Sequence, residues 1–403
     1  MPSACSTNMS RLLIAGGVYR EKCVWPAWNQ VYGSAGRASC AVAAGVEEIE
    51  LHTYASSETV NLFQPLADLD GIKLVATETE QNISFEYIHS LSPPIIRPST
   101  TIIKRENPIE VSGDTVLRFG ILEGSARVSA RTCVYDPQSA FRPEPFGENG
   151  SRADRLAIVA NRKEIVALAG GGKQPIPAAQ SLLQENVEVV VIKQGVGGAS
   201  VVTKAGVILI PAFQTKNIFT VGSGDVFAAV FASSWAIDGL TPEKAAWHAS
   251  RAVAEYVESM AFPIPPADSL AILPEAIAKP GMVYLAGPFF SLGQRWLVDE
   301  VRRCLLELGM KVFSPIHDIG SGPAEQVGPA DIEALNQCDL VFALLDGMDS
   351  GTLFEVGWAR AKNKPVYGLA QSASEEDLKM VNGSGCKVFE DFVTALHHAA
   401  WRT

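Results

Sequence analysis

The chain has 403 residues, 47% of them hydrophobic and 19% charged, and carries a net charge of -11 at pH 7. That length exceeds one ordinary hydrophobic core and implies two domains, while the composition excludes a disordered chain. The acidic balance, without a Lys/Arg run, excludes nonspecific nucleic-acid binding; the seven scattered Cys exclude a disulfide framework or a cysteine metal site, and no apolar run reaches membrane-span length.

A soluble, cytoplasmic protein with reduced thiols is expected, with small molecules rather than nucleic acid or membrane as partners. Residues 12–15 read as a first strand entering a Gly turn and are too short for a signal peptide. Residues 51–101, with their Thr, Ser, Glu and Ile alternation, predict some antiparallel strands. Val187–Lys193 is a continuous apolar run of the kind a buried parallel strand requires. Helical patterns cover 225–236 and 242–260, and five prolines within 261–281 mark a stiff connector. Beyond it a new strand begins at Met282, a helix covers 293–308, a buried strand covers 340–345 and another helix covers 354–362. Strands alternating with helices on both sides predict an α/β class for each of two domains, 1–265 and 281–403, joined by a 266–280 linker.

Two segments carry chemistry. Thr220-Val221-Gly222-Ser223-Gly224-Asp225 stands directly before a helix. Glycines there let backbone N–H groups converge on an anion with the helix dipole behind them. An acid in the same turn would repel a phosphate unless it has another task, and Asp225 suits a base that takes a proton from an attacking hydroxyl. The bland alternative is a Gly-rich helix entry that Asp225 merely caps. In the C-terminal part, the strand 340–345 ends at Asp346, a loop follows, and Glu355 sits early in the next helix. Ligands of open α/β sheets gather at such strand ends. A carboxylate beneath an anomeric carbon can trap or stabilise the oxocarbenium-like state of glycosidic cleavage, and a second acid must help the leaving base depart. Glu355 suits the first role and Asp331 the second. Asp339 reads as a cap and His317 as a structural or surface histidine.

The first domain resembles the ribokinase-like (PfkB) family of sugar and nucleoside kinases. The resemblance rests on Gly33-Ser34-Ala35-Gly36-Arg37-Ala38, Tyr135-Asp136-Pro137, Asn161-Arg162-Lys163-Glu164, Val190-Val191-Ile192-Lys193-Gln194-Gly195 and the Gly222–Asp225 turn. It implies a ribokinase-like fold, an acceptor contact at Gly33 and Arg37, and an ATP site formed by Asn161, Lys193, Gly195, Gly222, Ser223 and Gly224. It also implies magnesium organised through water by Glu164. Arg37 replaces the family's usual Asn, which points either to an anionic acceptor or to a structural role, and the short domain implies a reduced lid. Residues 282–393 resemble the nucleoside 2-deoxyribosyltransferase family, from Tyr284-Leu285-Ala286-Gly287-Pro288-Phe289-Phe290 to Val381-Asn382-Gly383. This implies a flavodoxin/Rossmann-like parallel sheet and a substrate loop at Gly287. Asp331 would contact the base, Asp349 the sugar's 5′-hydroxyl (Asp346 being the runner-up), and Glu355 would be the nucleophile. Asn382 would be lent to a neighbouring subunit, so a homodimer or larger homo-oligomer is expected, and no cofactor is required here. A bifunctional enzyme follows; its rival is a nucleoside or nucleotide N-glycoside hydrolase with a non-catalytic, nucleotide-binding first domain. Whether water or a second base accepts the sugar is left open.

Overall fold

The computed structural model describes residues 10–139 and 142–402, which fall into two compact units, 1–215 with 219–275 and 216–218 with 276–403. Cys5 lies outside the described residues; the other six cysteines are buried and form no disulfide.

The first unit opens with β1 (Arg11–Ala15), β2 (Arg20–Trp25), β3 (Trp28–Val31) and α1 (Gly33–Val42). Next come β4 (Glu48–Ala55), α2 (Ser57–Leu69), β5 (Ile72–Glu78), β6 (Ser84–His89) and β7 (Ile95–Arg97). Three long strands follow, β8 (Ile109–Phe119), β9 (Ala126–Asp136) and β10 (Arg152–Asn161), leading to α3 (Arg162–Leu168), α4 (Pro175–Leu182) and β11 (Val187–Lys193). The unit is completed by β12 (Ala199–Thr203), β13 (Gly206–Ile210), α5 (Ser223–Ala232) and α6 (Pro242–Ser259). Nine strands form one sheet in the order β13-β12-β11-β10-β9-β8-β1-β4-β5. All its pairs are parallel except β11–β12 and β12–β13. Its central strands are apolar on both faces because helices or loops cover both, as in Val189-Val190-Val191-Ile192, all fully buried.

A separate four-stranded sheet, in the order β3-β2-β6-β7, stands beside it. Among the described residues, no helix lies between β8 and β9, which are joined by residues 120–125, or between β9 and β10. Tyr54 secures the first of these crossings, its hydroxyl donating to the carbonyl of Ser125 at 3.1 Å. Gly124 is required there, since a Cβ would lie 2.5 Å from the Tyr54 ring. The antiparallel expectation for 51–101 holds for β6–β7, whereas β4–β5 is parallel.

The proline-rich stretch is less of a linker than its composition implies. Arg251 donates to the carbonyls of Ala267 and Leu270, and Leu270 is buried, so residues up to 275 pack with the first unit.

The second unit contains β14 (Met282–Ala286), α7 (Leu292–Glu307), β15 (Lys311–Phe313), α8 (Pro315–Asp318), α9 (Ala324–Gln337) and β16 (Leu340–Leu344). It continues through α10 (Ser350–Ala361), β17 (Val366–Leu369), α11 (Glu375–Gly383), β18 (Lys387–Phe389) and α12 (Phe392–Trp401). Its five strands are all parallel in the order β15-β14-β16-β17-β18. Numbered within the unit this is 2-1-3-4-5, the flavodoxin-like order, whose ligand crevice lies where β14 and β16 part in opposite directions. Among the described residues, no helix of either unit is long and apolar enough to cross a membrane.

Candidate active sites

In the second unit the strand order directs attention to the loops after β14 and β16. Tyr284 is the one polar side chain in an otherwise apolar strand and is fully buried. Its hydroxyl donates to Oε1 of Glu355 at 2.6 Å, from β14 to the second turn of α10. Asp331, on α9, lies close enough to act on the same hydroxyl electrostatically. Burial pushes the Glu355 carboxyl up to about 7; the Tyr284 hydrogen bond opposes the rise and the charges of Asp331 and Asp349 add to it. The Asp331 carboxyl is likewise raised by burial, and its Oδ1 is buried without a partner. The same acids, after burial itself, hold the Tyr284 hydroxyl firmly protonated. The geometry brings together Glu355, Asp331 and Asp349, together with Tyr284, which the sequence reading passed over as part of a strand. Its signal was a lone hydroxyl in an aliphatic run.

Asp349 has a structural task as well. Its Oδ2 caps α10, accepting from the backbone N–H of Thr352 at 2.8 Å and from its hydroxyl at 2.9 Å. The loop before it is strained, with Met348 at φ +47°. Asp346 is committed elsewhere, its carboxylate accepting from the backbone N–H groups of Gln371, Ser372 and Ala373. Gly287 is needed for close packing, since a Cβ would come within 3.0 Å of Leu344. His317 is held by Asp299 and Ser314 at 2.9 and 3.0 Å, and Asp339 accepts from the N–H of Met282, so both are structural. Asn382 is exposed on α11, and its carbonyl closes the turn to Gly385.

In the first unit, Gly222 adopts φ +75° and starts α5, placing Ser223, Gly224 and Asp225 in its first turn. Asp225 is buried and accepts from two side chains: Arg37 Nη1 at 3.0 Å on Oδ2 and Gln138 on Oδ1. Arg37 is fully buried and pairs also with Glu21, while its Nε donates to the Tyr256 hydroxyl at 3.2 Å. A Cβ at Gly222 would strike the Arg37 guanidinium at 2.1 Å, so that glycine makes room for the arginine. Burial raises the Glu21 carboxyl despite the Arg37 charge. Of the two roles the sequence offers Arg37, this burial agrees with the structural one. Gly33 starts α1 at φ +58°, where a Cβ would meet the carbonyl of Gly17 at 2.5 Å.

Lys193 ends β11 beside Gly224, in an ion pair with the fully buried Asp136. Burial acts against the lysine's charge, but the carboxylates of Asp136, Glu164 and Asp225 outweigh it and raise its pKa. Burial pushes Asp136 up to about 7 even with Lys193 at hand, and its Oδ1 is a buried orphan. Asn161 and Glu164 form a reciprocal capping box on α3. Gly195 opens the turn after β11 at φ +55° with free space above it. Amide groups at a helix start, a lysine and an orphaned carboxylate oxygen fit a nucleotide's phosphates with a hard divalent cation. A cavity of about 720 Å³ opens at the carboxyl ends of β8 and β9, reaching from Phe85 of the second sheet to Gln138.

Comparison with known proteins follows the same division. Residues 156–261 match the family model of the pfkB family carbohydrate kinases. Residues 283–390 match that of nucleoside 2-deoxyribosyltransferase. An ATP-dependent ribose-1-phosphate kinase of Halopiger xanaduensis is 30% identical over 115 residues, which span 28% of this chain and 36% of that relative, about a third of its length. Among solved structures, a nucleoside kinase of Methanocaldococcus jannaschii is 16% identical, matching 63% of this chain and 95% of its own at a TM-score of 0.48. A ribokinase of Arabidopsis thaliana complexed with ribose and ATP is 17% identical, matching 65% and 97%, also at 0.48.

Proposed function

We propose that this chain, which joins a pfkB-family kinase segment to a nucleoside 2-deoxyribosyltransferase-family segment, is a bifunctional enzyme of nucleoside and sugar metabolism. The reading rests above all on the second unit: a half-buried carboxylate held by a tyrosine hydroxyl, beside a second carboxyl raised by burial. Ionised Glu355 attacks the anomeric carbon of a nucleoside through Oε2, because Tyr284 occupies Oε1. The C–N bond breaks with its electron pair going to the base, which takes a proton from Asp331, leaving the sugar esterified to Glu355. Water or a second base then attacks the same carbon and gives its proton to Asp331, and the carboxylate is released. Asp349 favours a free 5′-hydroxyl, since a 5′-phosphate near it would cost about 1 kcal/mol in water and about 4 in a partly buried site. Asn382, on the surface, is available to a neighbouring copy in a homo-oligomer.

In the first unit Asp225 acts as base for a sugar or nucleoside hydroxyl, and the relative's name, a ribose-1-phosphate kinase, supports a pentose phosphate as acceptor. ATP with magnesium supplies the transferable phosphoryl group. Gly222, Ser223 and Gly224 would hold its phosphates by their amides with Lys193 beside them, Asn161 and Gly195 border the nucleotide, and Glu164 holds the ion through water. A second reading is favoured by one observation: both Asp225 oxygens already accept hydrogen bonds, which suits a nucleotide-binding unit without phosphoryl transfer.

The test is incubation with a panel of nucleosides and nucleotides, with and without a free acceptor base, following base release by chromatography. Release that Glu355→Ala abolishes supports the reading. Full release by that variant refutes the nucleophile.

A further inference from the structure

Asp225, the base of the proposed phosphoryl transfer, has a partner on each oxygen. Arg37, fully buried, donates to Oδ2 at 3.0 Å, and Glu21, 5% exposed, pairs with Arg37 in turn. The side-chain amide of Gln138 donates to Oδ1. The two partners stand in different surroundings. Arg37 is held by two acids and the Tyr256 hydroxyl in the interior. Gln138 is half-buried and lines the cavity at the carboxyl ends of β8 and β9; among the described residues, Asp225 does not line it. The amide therefore stands between that cavity and the base.

The backbone is built to aim it there. Gln138 adopts φ +48°, a left-handed conformation that disfavours any residue with a Cβ. Gly120 secures the turn: its N–H donates to the carbonyl of Asp136 at 2.9 Å, and a Cβ on it would lie 2.0 Å from the carbonyl of Pro137. A strained residue fixed by its surroundings beside a reactive group points to a task at that group. The task is not proton transfer, since an amide donates hydrogen bonds without titrating. It competes instead with any hydroxyl for Oδ1. A carboxylate oxygen can accept twice, but the side of Oδ1 that a hydroxyl from the cavity would reach already carries the amide.

We infer that Gln138 masks the base until the acceptor arrives: a hydroxyl of the acceptor, entering from the cavity, takes the amide's place on Asp225 Oδ1, and water alone does not. The inference rests on the reading of Asp225 as a base and adds a residue that separates transfer from hydrolysis. The acceptor can displace the amide because its other contacts in the cavity contribute to binding, a source of free energy that one water lacks. With the acceptor seated, its oxygen bonds to the γ-phosphorus of ATP, the bond from that phosphorus to the ADP oxygen breaks, and the hydroxyl proton passes to Oδ1. With the mask removed, water follows the same course and yields inorganic phosphate.

The experiment measures phosphate release from ATP and magnesium by the full-length protein with no acceptor present, for the unaltered chain, Gln138→Gly, Gln138→Ala and Gln138→Gly/Asp225→Asn. Both single variants should hydrolyse ATP about tenfold faster than the unaltered chain, the size of a lost hydrogen bond to a charged group, and the double variant should lose that gain. Calorimetric affinity for ATP should be the same in all, because the amide contacts the base. Gln138→Gly should unfold at a higher temperature than Gln138→Ala, since only Ala retains the cost of a positive φ, so the Gly variant carries the test if the Ala variant does not fold. No gain in hydrolysis, a gain that survives Asp225→Asn, or a tenfold loss of ATP affinity overturns the inference. Absence of the gain while the unaltered chain phosphorylates ribose, ribose 1-phosphate or a nucleoside would retire this inference alone. Absence of both the gain and any such transfer would retire the kinase reading with it.

Discussion

Replacing Glu355 by Gln should stabilise the C-terminal unit above neutral pH while destroying its proposed chemistry. Burial raises the Glu355 carboxyl from 4.5 to about 7. Below pH 4.5 the group is protonated whether the chain is folded or unfolded, so it contributes no difference. As pH rises from 4.5 to 7 the unfolded chain ionises first, and stability is lost progressively until the folded carboxyl ionises too. The shift of about 2.5 units, at ~1.36 kcal/mol each, makes that loss about 3 kcal/mol above pH 7. Gln keeps an oxygen for the Tyr284 hydroxyl and never ionises, so the gain should be near zero at pH 4.5 and about 3 kcal/mol at pH 8.5. Because two units unfold, the assay is peptide-resolved hydrogen exchange of β14 and β16 at several pH values. A gain independent of pH, or a destabilised variant at pH 8.5, would refute the assignment of Glu355 to a half-buried, charge-penalised site.

Base release should rise with pH through about 7 as Glu355 ionises, and a rate that is flat from pH 5 to 8 would count against Glu355 as the ionised nucleophile. Tyr284→Phe removes a hydrogen bond that lowers the Glu355 pKa, so the acidic limb of the pH–rate profile should move upward; an unmoved limb counts against that contact. Arg37→Met leaves Glu21 and Asp225 buried without their cation and should destabilise the first unit by about 3–5 kcal/mol, measured by thermal unfolding. A loss below about 1 kcal/mol would mean the cluster is more hydrated than its burial implies. Asp225→Asn should abolish ATP-dependent phosphorylation in a coupled assay and leave base release intact.

The α/β class of both units is legible because their buried strands are continuous apolar runs. Val187–Lys193 has the bounds its hydrophobicity predicts, and the strand at Leu340 ends one residue early. The start of α7 is likewise written locally, in the capping box of Ser291 and Gln294. The smaller sheet of the first unit is harder to see: β3 is four residues long and largely unburied, so it lacks the apolar run that marks a strand. Helix α9 contains Pro329, which on sequence alone argues for a break. The carboxylates of the second site were legible through the motif around Glu355, but Tyr284 acquires its role only when β14 comes beside α10. Arg37 is the clearest case of information absent from local sequence. Its partners Glu21 and Asp225 lie 16 and 188 positions away, and only the fold makes one buried arginine answer two acids.

The most direct measurement is mass spectrometry of the protein quenched during turnover with a 2′-deoxynucleoside. The mechanism predicts a deoxypentosyl mass increment on the peptide containing Glu355, absent from Glu355→Gln and discharged by adding an acceptor base. Sustained base release with no adduct on that peptide, and with Glu355→Gln equally active, would contradict it.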